Sequence, residues 1–225
     1  MVATTVGFLT VVLAIWIQIR DPRAWMRKLG WAAVGFVIAQ GVLGGLTVLF
    51  LLPKEISIAH ACMAQLFFCT TVAIAVFQSK GWAQGPEIVE DSHRPSQEAI
   101  AKVVPFFVIA QLLLGAAFRH NATGLVPHVV GALIVAAVML IQGVSIMSAY
   151  PNHRALNRAA GFMMSILGVQ LMLGLGAYAA RASVTANTAP NGWLVFATVS
   201  HVACGALALA ASIVTSIQVF RHVRA

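Results

Sequence analysis

Seven stretches of this chain are apolar for long enough to cross a lipid bilayer, and no other feature leaves so few folds open. They cover about residues 2–19, 31–52, 56–77, 103–119, 125–148, 160–180 and 193–219. A spanning helix needs about 20 mostly apolar residues, with about 17 as the lower limit. Backbone in hydrocarbon must satisfy its own hydrogen bonds, and runs this long and uniformly apolar do not alternate as barrel strands do. An all-α integral membrane protein with seven transmembrane helices is therefore expected. Charged residues make up only 9% of the chain, against about 25% in soluble domains, which excludes a soluble or disordered protein. The first run has no basic residue ahead of it and does not look like a cleavable signal. Pro105, near the start of the fourth run, is expected in the first turn of its helix, where a missing N–H does no harm.

The net charge of +8 would suit nucleic-acid binding if it were clustered on one face. It sits instead in the gaps between apolar runs, which favours topogenic loop charge and no nucleic-acid partner. Counted on alternate sides, eleven Lys and Arg face three, the three being Lys54, Arg119 and Arg181. The positive-inside rule then places the N-terminus outside and the C-terminus inside. A polar stretch, 79–102, divides the chain into 1–78 and 103–225 and reads as an inner-side linker between two half-bundles. Cys62, Cys69 and Cys204 all lie in apolar runs and read as small buried hydrophobes.

A repeat runs through the chain. Gln40–Gly44, Gln111–Gly115 and Gln170–Gly174 each place a glycine four residues after a glutamine, with leucine just before it, and the next apolar run carries one histidine: His60, His128 or His201. A Gln-helix followed by a His-helix thus occurs three times. The first run aligns with the stretch from His128 to Gln142, but Thr4 stands where the histidine would be. The simplest account is that residue 1 begins partway into a fourth unit, in a truncated chain.

Ionisable groups inside a membrane are functional candidates by default. Three histidines near the outer ends of repeated helices suit axial ligation of a haem iron, a pair giving a six-coordinate centre. Small neighbours (Ala64, Gly131, Ala132 and Gly205) leave room for a flat macrocycle. The blander alternative is that each histidine only bridges helices by a hydrogen bond. His93, His120, His153 and His222 fall in loops or at ends and read as solvated, and the three glutamines read as interhelical hydrogen-bond formers. Arg119 and Arg181, at outer helix ends, can pair with haem propionates, interfacial snorkelling being the commoner role. All six carboxylates lie in loops or at helix ends, which argues against an ion-coupled transporter. No phosphate-cradling glycine loop and no paired-cysteine site is present, so nucleotide and zinc chemistry have no support.

The segment QGVLGGLTVLFLLPKEISIAHACMAQLFFC (40–69), with LVPHVVGAL (125–133) and the last run around His201, resembles the haem A synthase family, and the resemblance extends over essentially the whole chain. It implies an eight-helix, pseudo-twofold bundle that oxidises the C8 methyl of haem O to the formyl of haem A, using water and an electron-transfer partner. It also implies His128 and His201 as axial ligands of a resident haem b, and His60 as a ligand of the substrate haem O. The family's partner for His60 lies in a motif with a glutamate and an arginine that would fall before Met1. The catalytic residue is therefore unknown here, and a truncated, impaired enzyme that keeps one haem b is expected. Further implied are haem O synthase and cytochrome oxidase assembly factors as partners, membrane lipid as surroundings, and a bacterial plasma membrane in preference to the mitochondrial inner membrane. The rival readings are a bis-histidine b-type electron carrier, a non-catalytic haem-handling assembly protein, and a helical bundle with no cofactor.

Overall fold

The computed structural model describes residues 2–183 and 192–224. Seven long helices dominate it: α1 (Val2–Arg20), α2 (Ala24–Leu49), α3 (Lys54–Phe77), α5 (Gln97–Arg119), α6 (Leu125–Ala149), α7 (Arg154–Ala182) and α8 (Gly192–His222). Each is long and apolar enough to span a membrane. An eighth, one-turn helix, α4 (Lys80–Ala83), follows α3, and a two-residue parallel pair joins β1 (Val89–Glu90) to β2 (Val223–Arg224). Large apolar side chains such as Val2, Leu51 and Phe106 stand exposed along these helices. For a chain whose solvent is lipid, that is the expected outer surface.

Several helices extend past their apolar runs, because length is set by capping and packing as well as hydropathy. α2 starts at Ala24, taking in Arg27 and Lys28; α7 starts at Arg154, capped by the His153 side chain, which accepts from the Leu156 N–H. α5 starts at Gln97, which corrects the placement of Pro105: the proline lies inside the helix. An interior proline removes the N–H that would bond the carbonyl four residues back. That carbonyl belongs to Ala101, and the buried Ser216 hydroxyl donates to it at 2.7 Å. A small polar residue on α8 thus repairs the gap, a common device in membrane helices.

The chain divides into two compact units, Met1–Gly85 with Ala110–Val130 and Pro86–Ile109 with Gly131–Ala225. In the first, Ile17, Met26, Ala33 and Ile74 form an apolar core. In the second, Ala101, Ile146, Tyr150, Leu156, Ala160, Val219 and Val223 do the same. The buried face of α8 is rich in small residues (Gly205, Ala208, Ala210, Ala211, Ser212), which let helix backbones approach closely where no hydrophobic effect drives association.

Candidate functional site

The spacing Gln-x-x-x-Gly puts both residues on one face of a helix, because side chains four apart stack on adjacent turns. The histidine of the following helix lies against that face in all three repeats. A Cβ built on Gly44 would lie 3.1 Å from His60 Cε1, one on Gly115 3.0 Å from His128 Cε1, and one on Gly174 3.1 Å from His201 Cε1. Each glycine is therefore a seat: a Cβ there would be tighter than ordinary van der Waals contact, and the imidazole would have to move back by a few tenths of an ångström. Gly41 and Gly45, on the same helix as Gly44, have nothing within 4 Å of a Cβ position.

The polar contacts around the seats differ. Gln40 Nε2 is 3.3 Å from His60 Nε2, whereas Gln111 Nε2 is 3.1 Å from His128 Nδ1 and also donates to the His128 main-chain carbonyl at 2.8 Å. The His128 ring also stacks on Phe118, centroids 6.2 Å apart and planes within 9°. His201 faces the main-chain carbonyl of Gln170. Around the first two seats, buried polar atoms are left over: His60 Nδ1, Gln40 Oε1 and Gln111 Oε1 have no hydrogen-bond partner among the described residues. Most buried polar groups in proteins are paired; atoms of the same kind also lie away from the seats, at Gln97 and Gln142, so it is the coincidence with a glycine-seated imidazole that sets these apart.

The sequence-level candidates thus fall as follows. His60, His128 and His201 are the seventh residue of α3, the fourth of α6 and the tenth of α8, each half-buried. Arg119 and Arg181 lie exposed in the last turns of α5 and α7. Gln40 and Gln111 bridge helices, and their partners are the histidines themselves; at the third seat it is the Gln170 main chain that meets His201. Among the described residues, no group of three or more His, Cys, Asp or Glu converges to hold a bare metal ion.

Two histidines expected in solvent are buried instead. His153 is 3% exposed and His222 6%, their rings in edge contact with centroids 4.6 Å apart. Because His153 Nδ1 accepts the cap bond from Leu156, its Nε2 carries the proton and donates to the Glu87 carbonyl at 3.0 Å. His222 Nδ1 meets the same residue's main chain, 3.0 Å from its nitrogen and 2.9 Å from its oxygen. Both are fasteners of the loop before β1, a role that no local sequence signal carries, since loop and helix-end positions imply solvent until the fold closes over them.

At the end of the first unit opposite His60, a cleft of about 320 Å³ is lined by Arg20, Asp21, Pro22, Arg23, Phe77, Gln78, Ser79, Trp82 and Ala83. Asp21 is saturated there: it accepts from the Arg23 N–H, from Arg23 Nε and Nη2, and from Gln78 Nε2, at 2.6 to 3.0 Å. The hydrogen-bonded Arg23 guanidinium holds the Asp21 carboxyl down at about 2. Arg23 also donates to the Phe77 carbonyl, so this cluster ties the end of α1 to the end of α3.

These features define a class: a multi-pass α-helical membrane protein whose repeated helix pairs each seat one histidine on a glycine. The chain matches the COX15-CtaA family, described as cytochrome oxidase assembly protein, over residues 1–220, and it belongs to that family. No match was found among curated proteins or among solved structures.

Proposed function

We propose that this protein is a haem A synthase-type oxidoreductase, converting the C8 methyl of haem O to a formyl group, with His128 and His201 as axial ligands of a resident haem b and His60 as a ligand of the substrate haem. The observation that carries this reading is the histidine seat, repeated three times in a chain of the COX15-CtaA family. The residues present fit a haem: imidazole is a common axial ligand of haem iron, each ring lies against a glycine, and His60 Nδ1 is buried with no hydrogen-bond partner among the described residues. Bound there, the haem iron would supply the redox chemistry. In the reaction the methyl carbon loses electrons to an acceptor and protons to water, and gains one oxygen atom from water.

The chain's own residues bind and orient. Gly44, Gly115 and Gly174 admit the imidazoles, Gln40 and Gln111 contact their ring nitrogens, and Arg119 and Arg181 offer cations at helix ends for propionates. The half formed by 1–78 serves the substrate haem and that formed by 103–225 the resident haem b, with 79–102 between them. The basic loop residues support an N-terminus outside and a C-terminus inside; a bacterial plasma membrane is the proposed location, and the charge pattern fits a mitochondrial inner membrane as well. The chemistry requires an electron acceptor, for which an electron-transfer protein is proposed, and haem O synthase and oxidase assembly factors are the further partners proposed.

The test is a reduced-minus-oxidised spectrum with pyridine haemochrome quantification on the purified chain, followed by haem extraction after co-expression with a haem O source. We expect about one protohaem per chain, lost in His128→Ala and in His201→Ala and kept in His60→Ala. Formyl haem in the extract supports the synthase; protohaem alone supports an electron carrier or a haem-handling protein. A colourless protein after haem supplementation overturns haem binding altogether.

A further inference from the structure

The three seats share a glycine, but glutamine is also part of the repeat, and haem ligation alone gives it no task. A ligating histidine is held by two things: the packing that fixes its ring and the hydrogen bond at the nitrogen that does not take the metal. Seating on glycine supplies the first. At His128 the second is in place as well, because Gln111 lies 3.1 Å from Nδ1, leaving Nε2 as the other ring nitrogen.

We propose that Gln111 is a positioning residue for His128: its amide holds Nδ1, fixes the rotation of the ring over Gly115, and so sets the ligand strength that Nε2 offers to iron. This rests on the reading of His128 as an axial ligand. As the side chains stand, Gln111 donates to Nδ1 and to the His128 carbonyl, while its own Oε1 is buried without a partner among the described residues. When Nε2 takes a metal, the ring proton must reside on Nδ1, which turns that atom from acceptor to donor. The group able to receive it is the orphaned Oε1, reached by a half-turn of the amide. That turn pairs the buried Oε1 with the Nδ1 proton and gives up the bond from Gln111 Nε2 to the His128 carbonyl, an exchange that binding of a metal at His128 Nε2 would favour because it leaves no ring proton without an acceptor. A donor to an amide oxygen makes the imidazole more basic, favouring ferric over ferrous iron.

Gln111→Met, which keeps the length and removes the hydrogen bond, and Gln111→Glu, which keeps the shape and adds a stronger acceptor when ionised, are read against His128→Ala in the full chain. The readouts are haem affinity by titration with protohaem, midpoint potential by redox titration, and the low-spin ferric g values by electron paramagnetic resonance. For Gln111→Met we expect haem affinity about ten- to hundredfold lower, as for other outer-shell partners, with a raised potential and shifted g values. For Gln111→Glu we expect a potential below wild type at pH values where the carboxyl is ionised. A filler residue would not move the potential in opposite directions. Wild-type affinity, potential and g values in Gln111→Met, with His128→Ala free of haem, overturn the role of Gln111 alone. Haem retained at that site in His128→Ala overturns the axial reading first and this one with it. If Gln111→Met does not fold, an unshifted potential in Gln111→Glu across the carboxyl titration overturns the proposal by itself.

Discussion

The two ends of the first unit are built on opposite rules. At the end holding Asp21, Arg23 and Gln78, every oxygen of the carboxylate is taken and the arginine is bound to both the acid and a helix-end carbonyl. At the end holding His60 and His128, where rings press against glycine, His60 Nδ1, Gln40 Oε1 and Gln111 Oε1 are buried without a hydrogen-bond partner among the described residues. The first arrangement is a fastener, in which unmet hydrogen-bonding capacity would only lower stability. The second keeps that capacity, which is what a ligand site requires.

The contrast is most easily broken at the seats. Gly115→Leu puts a branched side chain where His128 Cε1 now lies 3.0 Å from a bare Cβ position. We expect haem b to be lost, with destabilisation of about 1–3 kcal/mol from overpacking, read by haemochrome content and thermal unfolding in detergent. Haem retained at wild-type level would show that the glycine is no seat. At the other end, Asp21→Ala should leave haem content unchanged while lowering stability by about 1 kcal/mol, because the part-exposed Arg23 and the exposed Gln78 lose a buried acceptor that water replaces only in part.

Acid separates the two ends further. The folded Asp21 carboxyl sits at about 2, below its ordinary 3.8, so the unfolded chain binds the extra proton first. Its contribution is complete above about pH 4 and is lost as pH falls toward about 2. Asp21→Asn should flatten unfolding-midpoint curves in that window, and an unchanged slope would remove the carboxylate from the fastener. The smallest effect is expected within one helix: Gly41→Ala, with open space at its Cβ, should stabilise α2 by up to about 1 kcal/mol, while Gly44→Ala should not, and should disturb His60. Equal effects at the two glycines would erase the seat.

The second unit has its own fastener, and there the sequence misled. His153 and His222 read as solvated because they stand at a loop and a helix end, yet they close on the Glu87 main chain, which lies 66 and 135 residues from them. Nothing within a window of sequence announces a contact at that separation. Pro105 failed for the related reason that the polar residues ahead of it, from Gln97, continue the helix; the repair by Ser216 is again a distant one. By contrast, the pattern Gln-x-x-x-Gly followed by a histidine was fully legible, and only its purpose was not. The sequence shows the glycine only as a repeat; the structure shows the atom it admits, Cε1 of the facing imidazole.

By itself the sequence determined the number of spanning helices, their approximate positions and the pairing of a Gln-helix with a His-helix, because hydropathy and helical spacing are local properties summed along the chain. Tertiary structure decided which glycines touch an imidazole, which ring nitrogen meets Gln40 or Gln111, and which polar groups end saturated or orphaned. Those outcomes depend on how helix faces dock, to within a few tenths of an ångström, and a one-dimensional pattern does not contain that distance.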